Sequence, residues 1–289
     1  MRDGVIMAVD TRSRFRRADD TVQPADPLPH FIAHLLRAAE AAPSVHETNP
    51  WRFRYRPASR AVELHADFER ALRYNLTGRD VHIGCGAALF NLRLAVAWMG
   101  REPVVRLLPR PDEPLLMASV QLAGAHRPVA SERELYAAIS RRRTGQQPFA
   151  NRAVPGTVLA ELAEAARVEG AMLHLLHPAQ AQRVLPGISD PTCEPRFAVL
   201  STQFRAREDW LRAGQALQRM LLLATARGVS VQPLTKPLEV PDAWLVRDPH
   251  TGIEQPQMIV RLGYAPRWDA GSAGGGRPGQ QGLSPLRAG

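Results

Sequence analysis

Residues 43–53 of the chain read Pro43-Ser44-Val45-His46-Glu47-Thr48-Asn49-Pro50-Trp51-Arg52-Phe53. This stretch follows an apolar run with helical periodicity over residues 27–42, and its Pro-Ser pair is expected to end that helix. Pro50 and Trp51 then begin an extended segment. A loop that only joins a helix to a strand has little need for so many polar side chains, so the stretch is predicted to face a ligand. The alternative is a plain helix-to-strand turn with Trp51 in the core.

The composition limits the classes of protein that the chain can belong to. Its 289 residues, 45% of them hydrophobic, suffice for one large domain or two half-size domains. The net charge of +9 comes almost wholly from arginine, because Lys236 is the only lysine. These arginines are spread along the chain, with one block at residues 141–143, and aromatic residues make up only 6% of it, so no nucleic-acid binding is expected.

The sequence also predicts the compartment. It contains no run of about 18 apolar residues and no apolar N-terminal segment, so neither a membrane span nor a secretory signal is expected. Cys85 and Cys193 form neither a CxxC pair nor part of a metal-binding set. Such unpaired cysteines fit a reducing cytoplasm, which is the predicted location. His174 and His177 are close in sequence but lack further ligands, so no metal site is predicted.

Hydrophobic periodicity predicts an alternation of helices and strands. The predicted helices cover residues 27–42, 67–76, 83–99, 131–140, 158–168 and 208–227. The predicted strands cover residues 51–55, 61–66, 104–108, 115–122, 171–176, 197–201 and 257–264. The helix over 83–99 is expected to open at Gly84 and Gly86, and the helix over 131–140 to have Ser131 as N-cap with Glu134 in the capping box. Residues 229–234 are interpreted as a turn, and residues 182–195 as a short turn-rich connection.

A weak internal repeat relates the two longest helices. The segment from Gly86 to Gly100 can be aligned with the segment from Gly214 to Gly228, with the same separation between the two glycines. Both segments are apolar, and each is followed by a strand-like run and a proline. The repeat predicts two similar α+β halves packed as a pseudo-dimer. The alternative is a chance match between two buried helices.

Two further motifs lie in the second half of the chain. The first is a basic loop, Arg141-Arg142-Arg143-Thr144-Gly145-Gln146-Gln147-Pro148-Phe149, in which a guanidinium group and a hydroxyl could together hold a phosphate. The alternative is a solvated basic loop. The second is a helix that begins Asp209-Trp210-Leu211-Arg212-Ala213-Gly214-Gln215-Ala216-Leu217-Gln218 and is mostly core by its periodicity.

The loop over residues 43–51 resembles the Pro-Ser-x-x-Asn-x-Gln-Pro-Trp loop of FMN-binding nitroreductases. It is closer still to the Acg-like branch of that family, which runs Pro-Ser-Val-His-Asn-Thr-Gln-Pro-Trp. The resemblance implies that Ser44, His46, Glu47 and Asn49 bind the flavin. Glu47 stands where the pattern has Asn, and Asn49 where it has Gln. An ionised Glu accepts hydrogen bonds but donates none, so a buried Glu47 would need an arginine partner or would lose its contact with the ring.

The basic loop resembles the Arg-x-Ser/Thr-x-x-x-Phe element of the same family. This resemblance implies that Arg142 and Thr144 hold the FMN phosphate, with Arg143 as a further cofactor-binding candidate. It also places Gln146 where the family usually has Lys or Arg beside the pyrimidine edge of the flavin. The helix beginning at Asp209 is similar to Asp-Trp-Leu-Arg-Ala-Gly-Gln-Ala-Leu-Gln of the Acg-like branch. The resemblance spans residues 30–264, and it makes the backbone of 229–234 a weaker candidate for flavin contact.

The implied architecture is an α+β, nitroreductase-like fold of two similar halves fused as an intramolecular pseudo-dimer. The expected organisation is a flexible N-terminal segment (1–25), a first half (26–125), a second half (126–269) and a disordered Gly-rich tail (270–289). Nitroreductase dimers build each flavin site at the subunit interface. The loop of the first half is therefore expected to face the basic loop of the second, with one FMN per chain.

The resemblance implies an FMN-dependent oxidoreductase in which NAD(P)H reduces the flavin by hydride transfer and a small electron-poor molecule accepts the electrons. No side chain is identified as an essential acid or base. Two alternatives remain: a flavin-binding or flavin-storage protein without turnover, and a degenerate scaffold that binds no flavin. The expected assembly is a monomer or a homodimer.

Overall fold

The computed structural model describes residues 30–44, 47–74, 76–142, 149–185, 196–234 and 255–265. The helices are α1 (His30–Glu40), α2 (Phe68–Leu72), α3 (Gly78–Trp98), α4 (Ala130–Ile139), α5 (Gly156–Val168), α6 (Pro178–Val184) and α7 (Arg207–Ala226). The strands are β1 (Trp51–Arg56), β2 (Ala61–Ala66), β3 (Arg101–Leu107), β4 (Leu116–Ala125), β5 (Met172–Leu175), β6 (Arg196–Thr202), β7 (Ser230–Leu234) and β8 (Gln255–Gly263).

The strands form two antiparallel four-stranded sheets with the same internal order. The first sheet runs β1-β2-β4-β3 and the second β5-β6-β8-β7. In each sheet the second and third strands in space are separated along the chain by the long central helix of that half, α3 or α7. The expected α+β fold of two similar fused halves is therefore confirmed, and the internal repeat is real.

Helices α3 and α7 cross at the centre of the molecule. A methyl group added to Gly86 would lie 2.2 Å from the carbonyl oxygen of Leu211, and one added to Gly214 would lie 2.1 Å from that of Ile83. The contact is reciprocal, because Leu211 and Ile83 each precede the opposing glycine by three residues. Only residues without a side chain allow this approach of two helix backbones. The aligned glycines of the repeat are thus the crossing point of the two halves.

The remaining helices pack around this pair in matching positions. Helix α1 packs on α3 and α5 packs on α7, while α4 contacts both central helices. Helix α3 is long and apolar enough to span a membrane, but 89% of its most apolar window is buried inside the protein. It is accordingly a core helix, which explains why its apolar residues are not confined to one face.

The ends of several elements differ from the sequence-based prediction. Helix α3 begins at Gly78 and not at residue 83, because Thr77 caps it and the Asp80 carboxylate accepts a hydrogen bond from the Thr77 backbone N–H at 3.0 Å. Helix α4 begins at Ala130, so Ser131 is not its N-cap. The carboxylate that accepts from the first backbone N–H there belongs to Glu132 and not to Glu134.

Two elements differ from the interpretation of their segments as turns. Residues 230–234 form strand β7, which corrects the interpretation of 229–234 as a turn. Helix α6 covers the start of the segment predicted to be a turn-rich connection, and residues 186–195 lie outside the described residues. The expectations for residues 1–25 and 270–289 also fall outside them.

Candidate functional site

The polar loop between α1 and β1 is built around Ser44. The Ser44 hydroxyl accepts a hydrogen bond from the backbone N–H of Asn49 at 2.9 Å and donates to the Asn49 side-chain oxygen at 3.2 Å. The backbone N–H of Glu47 donates to the Ser44 carbonyl at 3.2 Å. These bonds close a compact turn that joins Ser44 to Asn49, and the predicted contacts of both residues with a flavin stay a prediction.

Two residues of this loop have left-handed backbone conformations. Glu47 has a φ of 55° and Asn49 a φ of 44°, a region that asparagine tolerates better than glutamate. Both residues are exposed, so Glu47 does not incur the burial penalty considered from the sequence. The predicted contact of Glu47 with a flavin ring stays a prediction.

The far end of the loop is fixed against α3. Trp51 is buried, and a methyl group on Gly84 would lie 3.3 Å from the Pro50 ring and 3.6 Å from the Trp51 ring. The carbonyl oxygen of Pro50 accepts the backbone N–H of Asp67 at 3.0 Å. Because Gly84 has no side chain, Pro50 and Trp51 can pack directly on helix α3. From the sequence, Gly84 was identified only as a residue at the start of that helix.

A charged cluster holds the same end from outside. The Asp67 carboxylate accepts from Arg52 Nε at 2.8 Å, and Arg70 Nη1 donates to the Asn49 carbonyl at 3.2 Å. Burial of Asp67 opposes its ionisation, but the hydrogen bonds from Arg52 and from the Arg70 backbone N–H outweigh that effect and hold the pKa of Asp67 below its ordinary value. Arg70 was not a predicted site residue, and nothing in the motif marks it.

Arg142 joins the two motifs across the halves. Its Nη2 donates to the carbonyl oxygen of Ala41 at 2.9 Å, two residues before the polar loop begins. Its Nε and Nη1 are buried and have no hydrogen-bond partner in the described part of the chain. Burial lowers the pKa of Arg142, because a guanidinium ion is costly to remove from water. A cationic group with unmet donors thus faces the neighbourhood of the Pro-Ser turn.

Several predicted site residues cannot be placed. His46, Arg143, Thr144 and Gln146 lie outside the described residues, so their proximity to the loop is untested. Of the eight candidates, the structure describes Ser44, Glu47, Asn49 and Arg142, and its contacts link Arg142 to the chain just ahead of the loop.

The donor pattern of Arg142 fits a phosphate group. Two buried N–H-bearing nitrogens without acceptors are costly, and the cost disappears when an anionic oxygen accepts from them. Phosphate oxygens match the planar fork of a guanidinium group. The described residues hold no group of three or more His, Cys, Asp or Glu side chains able to bind a metal ion. The two unpaired nitrogens of Arg142 therefore suit a phosphate group near the end of α1.

Comparison with known proteins places this geometry in context. No family model matches the chain. A Mycobacterium tuberculosis protein assigned by name to the NAD(P)H nitroreductases is 30% identical over 298 residues, which cover 81% of this chain and 85% of the relative. The M. tuberculosis protein acg, assigned to the same class by name, is 28% identical over 304 residues, covering 82% and 90%.

A solved structure supports the architecture. The crystal structure of a protein from Anabaena variabilis, assigned by its title to the nitroreductases, superimposes with a TM-score of 0.58 at 11% identity, covering 82% of this chain and 88% of that one. This likeness concerns the fold alone. It extends over both halves, so the expected nitroreductase-like fold is confirmed.

Proposed function

The chain belongs to the NAD(P)H nitroreductase family, on its Acg-like branch, and we propose that it is an FMN-dependent oxidoreductase. NAD(P)H is the proposed reductant and a small electron-poor molecule the proposed acceptor. The proposed compartment is the cytoplasm, in keeping with Cys85, which is a free and buried thiol. Because both motifs belong to one chain, the proposed assembly is a monomer or a homodimer with a site within each chain.

The observation that carries the proposal is the state of Arg142. Its Nε and Nη1 are buried without partners in the described part of the chain, and its third nitrogen is already directed at the end of α1. The FMN phosphate is the anion that the family resemblance supplies for these donors. In this proposal Arg142 binds the phosphate, with Thr144 and Arg143 as its neighbours in the basic loop.

The polar loop forms the other wall of the proposed site. Ser44 holds the turn in shape through its two bonds to Asn49, so that the polar edge of the loop is fixed before any ligand arrives. Such preorganisation reduces the entropy lost on binding. His46, Glu47, Asn49 and Gln146 are the proposed contacts to the flavin ring. When bound, FMN supplies the hydride chemistry, and the protein supplies orientation and electrostatics.

One FMN per chain is proposed. In the first half ten residues separate α1 from β1, since α1 ends at Glu40 and β1 begins at Trp51. In the second half only three residues separate α5 from β5, since α5 ends at Val168 and β5 begins at Met172. The second half therefore lacks a counterpart of the polar loop, and only one complete site can form.

A second candidate is flavin binding without turnover. The exposed Glu47 favours it, because a carboxylate at this position repels the negative charge that a reduced flavin carries and donates no hydrogen bond to the ring. This candidate shares the Arg142 phosphate site with the first. The two differ in whether the bound flavin is reduced by NAD(P)H.

An absorbance spectrum of the purified protein, before and after addition of FMN and removal of the excess, tests the proposal. Flavin bands that remain with the protein at about one FMN per chain support it. NADH or NADPH added without oxygen should then bleach these bands, whereas a spectrum unchanged by both reductants favours storage. If the protein retains no FMN, both candidates are overturned, and the alternative of a degenerate scaffold that binds no flavin remains.

A further inference from the structure

A second cavity lies between the two halves on the side of α7. Its volume is about 570 Å³, within the range of small-molecule sites. One wall is aliphatic and consists of side chains from β3 and the end of α5, namely Pro103, Val105, Leu107 and Val168. The polar wall comes from α3, α7 and the residue that follows α5, namely Arg93, Glu169, Glu208, Arg212 and Gln215.

The internal repeat relates this cavity to the candidate flavin site. When α3 and α7 are aligned with Gly86 on Gly214, Arg212 occupies the position of Gly84, which seats the Pro-Trp end of the polar loop. The Arg212 Cδ lies against Gly170, the second residue after α5, at 3.4 Å from where a methyl group on that glycine would stand. The cavity thus occupies the place that the missing polar loop of the second half leaves free.

Hydrogen-bond acceptors in the polar wall are largely occupied. Arg93 Nη1 donates to Glu169 Oε2 at 2.6 Å and to Gln215 Oε1 at 2.8 Å. The other oxygen of Glu169 accepts from Arg219 at 3.1 Å, and Glu208 Oε1 accepts from Arg212 at 2.6 Å. The Glu169 side chain is only 6% exposed, so these bonds fix a rigid floor.

Hydrogen-bond donors in the same wall remain in excess. Among the contacts of the described residues, the Nε and Nη2 of Arg93 and the Nε2 of Gln215 donate to no protein acceptor. Arg212 keeps its Nε, and its Nη1 is 3.9 Å from Asp209, too far for a hydrogen bond. A ligand for this wall must therefore bring acceptor oxygens, and it must bring an apolar body for the aliphatic wall.

We propose that this cavity is a second ligand site that binds small aliphatic carboxylates, with the carboxylate on Arg93 and Arg212 and the hydrocarbon on the β3 wall. A carboxylate offers two acceptor oxygens to the donors that remain on Arg93, Arg212 and Gln215, and it brings no donor that would need a partner. We do not assign a flavin to this cavity, because only three residues separate α5 from β5 and the second half therefore has no loop to contact the ring. The proposal does not depend on flavin binding at the first site.

Ligand-observed NMR with hexanoate tests the proposal on the full chain as purified. Hexanoate should bind at about 1 mM or tighter, and the neutral analogue hexanamide about tenfold more weakly, because it lacks the charge that strengthens each hydrogen bond. Absence of hexanoate binding up to about 10 mM overturns the proposal. Equal binding of the two compounds overturns the role of the arginines.

Three variants locate the binding. Val168→Trp fills the cavity from a position that is 52% exposed, and it should abolish hexanoate binding while thermal unfolding and FMN content stay unchanged. Arg212→Gln removes an exposed donor and should weaken hexanoate about tenfold. Val104→Trp is the matched control, since Val104 lies on the opposite face of β3 and should leave binding unchanged. Hexanoate binding that survives Val168→Trp places the ligand elsewhere and refutes the assignment.

Discussion

Gly86 and Gly214 touch backbone to backbone where α3 crosses α7, with their Cα atoms so close that a methyl group on Gly214 would lie 2.8 Å from the Gly86 Cα. The two residues are also the aligned positions of the internal repeat. The approximate two-fold axis of the molecule therefore passes between them. The edge-to-face contact of His82 and Trp210, with ring centroids 5.3 Å apart, repeats this relationship one turn away.

Substitution at this crossing should destabilise the whole molecule. Gly86→Ala forces a methyl group into the Leu211 carbonyl, so we expect a loss of about 1–3 kcal/mol in the free energy of unfolding, measured by urea denaturation. Gly78→Ala is the control, because nothing lies within 4 Å of the added methyl group. It should stabilise the helix by about 0.5 kcal/mol. Equal effects of the two changes would show that the helices do not meet at Gly86.

Arg142→Met should separate binding from stability. The substitution removes the proposed phosphate donors, so FMN affinity should fall at least about tenfold in a fluorescence titration. It also removes a buried cation with unmet donors, so the flavin-free protein should unfold at an equal or higher urea concentration. Arg141→Met is the matched control, because Arg141 is exposed, and it should change neither quantity. Unchanged FMN affinity in Arg142→Met would reject the phosphate assignment.

Glu47→Asn should tighten FMN binding. Asparagine adds an amide donor and suits the φ of 55° better than glutamate, so we expect a gain of up to about tenfold in affinity. Glu47→Gly is the control that relieves the backbone without providing a donor. If the two variants bind FMN equally, the gain comes from the backbone alone, and if Asn has no effect, residue 47 does not contact the ring.

His82 should make stability depend on pH near neutrality. Its Nδ1 donates to the Gly78 carbonyl at 2.6 Å and its Nε2 accepts from Arg207 Nε at 3.0 Å, an arrangement that requires the neutral ring. Burial lowers the pKa of His82 below 6.5, with a smaller contribution from the charge of Arg207. The unfolded chain therefore takes up a proton first as the pH falls, so the stability present above pH 6.5 declines below it.

Urea unfolding between about pH 5 and 7.5 measures this decline. His82→Gln should flatten the profile over that window. The depressed pKa of Asp67 acts separately, since its contribution is lost only as the pH falls below about 4. A wild-type profile that is already flat above pH 5 would contradict the neutral buried state of His82.

The alignment of Gly86 with Gly214 could be predicted from the sequence because two glycines at matching positions in two apolar helices leave a local signal. Strands β1 and β2 were also predicted from local patterns, since aromatic residues alternate with arginines in β1 and apolar residues dominate β2. For strand β7 two expectations disagreed, since the repeat indicated a strand-like run after Gly228 whereas residues 229–234 were interpreted as a turn. The strand lies at the edge of its sheet, where the backbone donor missing at Pro233 is tolerated, and Pro103 is placed similarly in β3.

The candidate site could be predicted only in part. The motif identified the polar loop, and its internal Ser44–Asn49 bonds are local. The Arg142–Ala41 bond joins residues 101 positions apart, so it depends on how the two halves dock. The exposure of Glu47 likewise depends on the geometry of its turn, which the sequence does not specify. The cavity lined by Arg93 and Arg212 lies beside the short connection between α5 and β5, and that connection is recognised as short only when the two halves are compared.

The Arg142–Ala41 bond joins two halves of a single chain, and this covalent connection affects how the protein behaves on dilution. A site assembled from two separate subunits is lost when the subunits dissociate, so its occupancy falls with protein concentration. Here the two contributors are tethered by one polypeptide, and the second half meets the first at a fixed effective concentration. The cleft between the halves should consequently stay assembled at nanomolar protein, and each half is free to diverge from the other without any requirement to remain self-complementary.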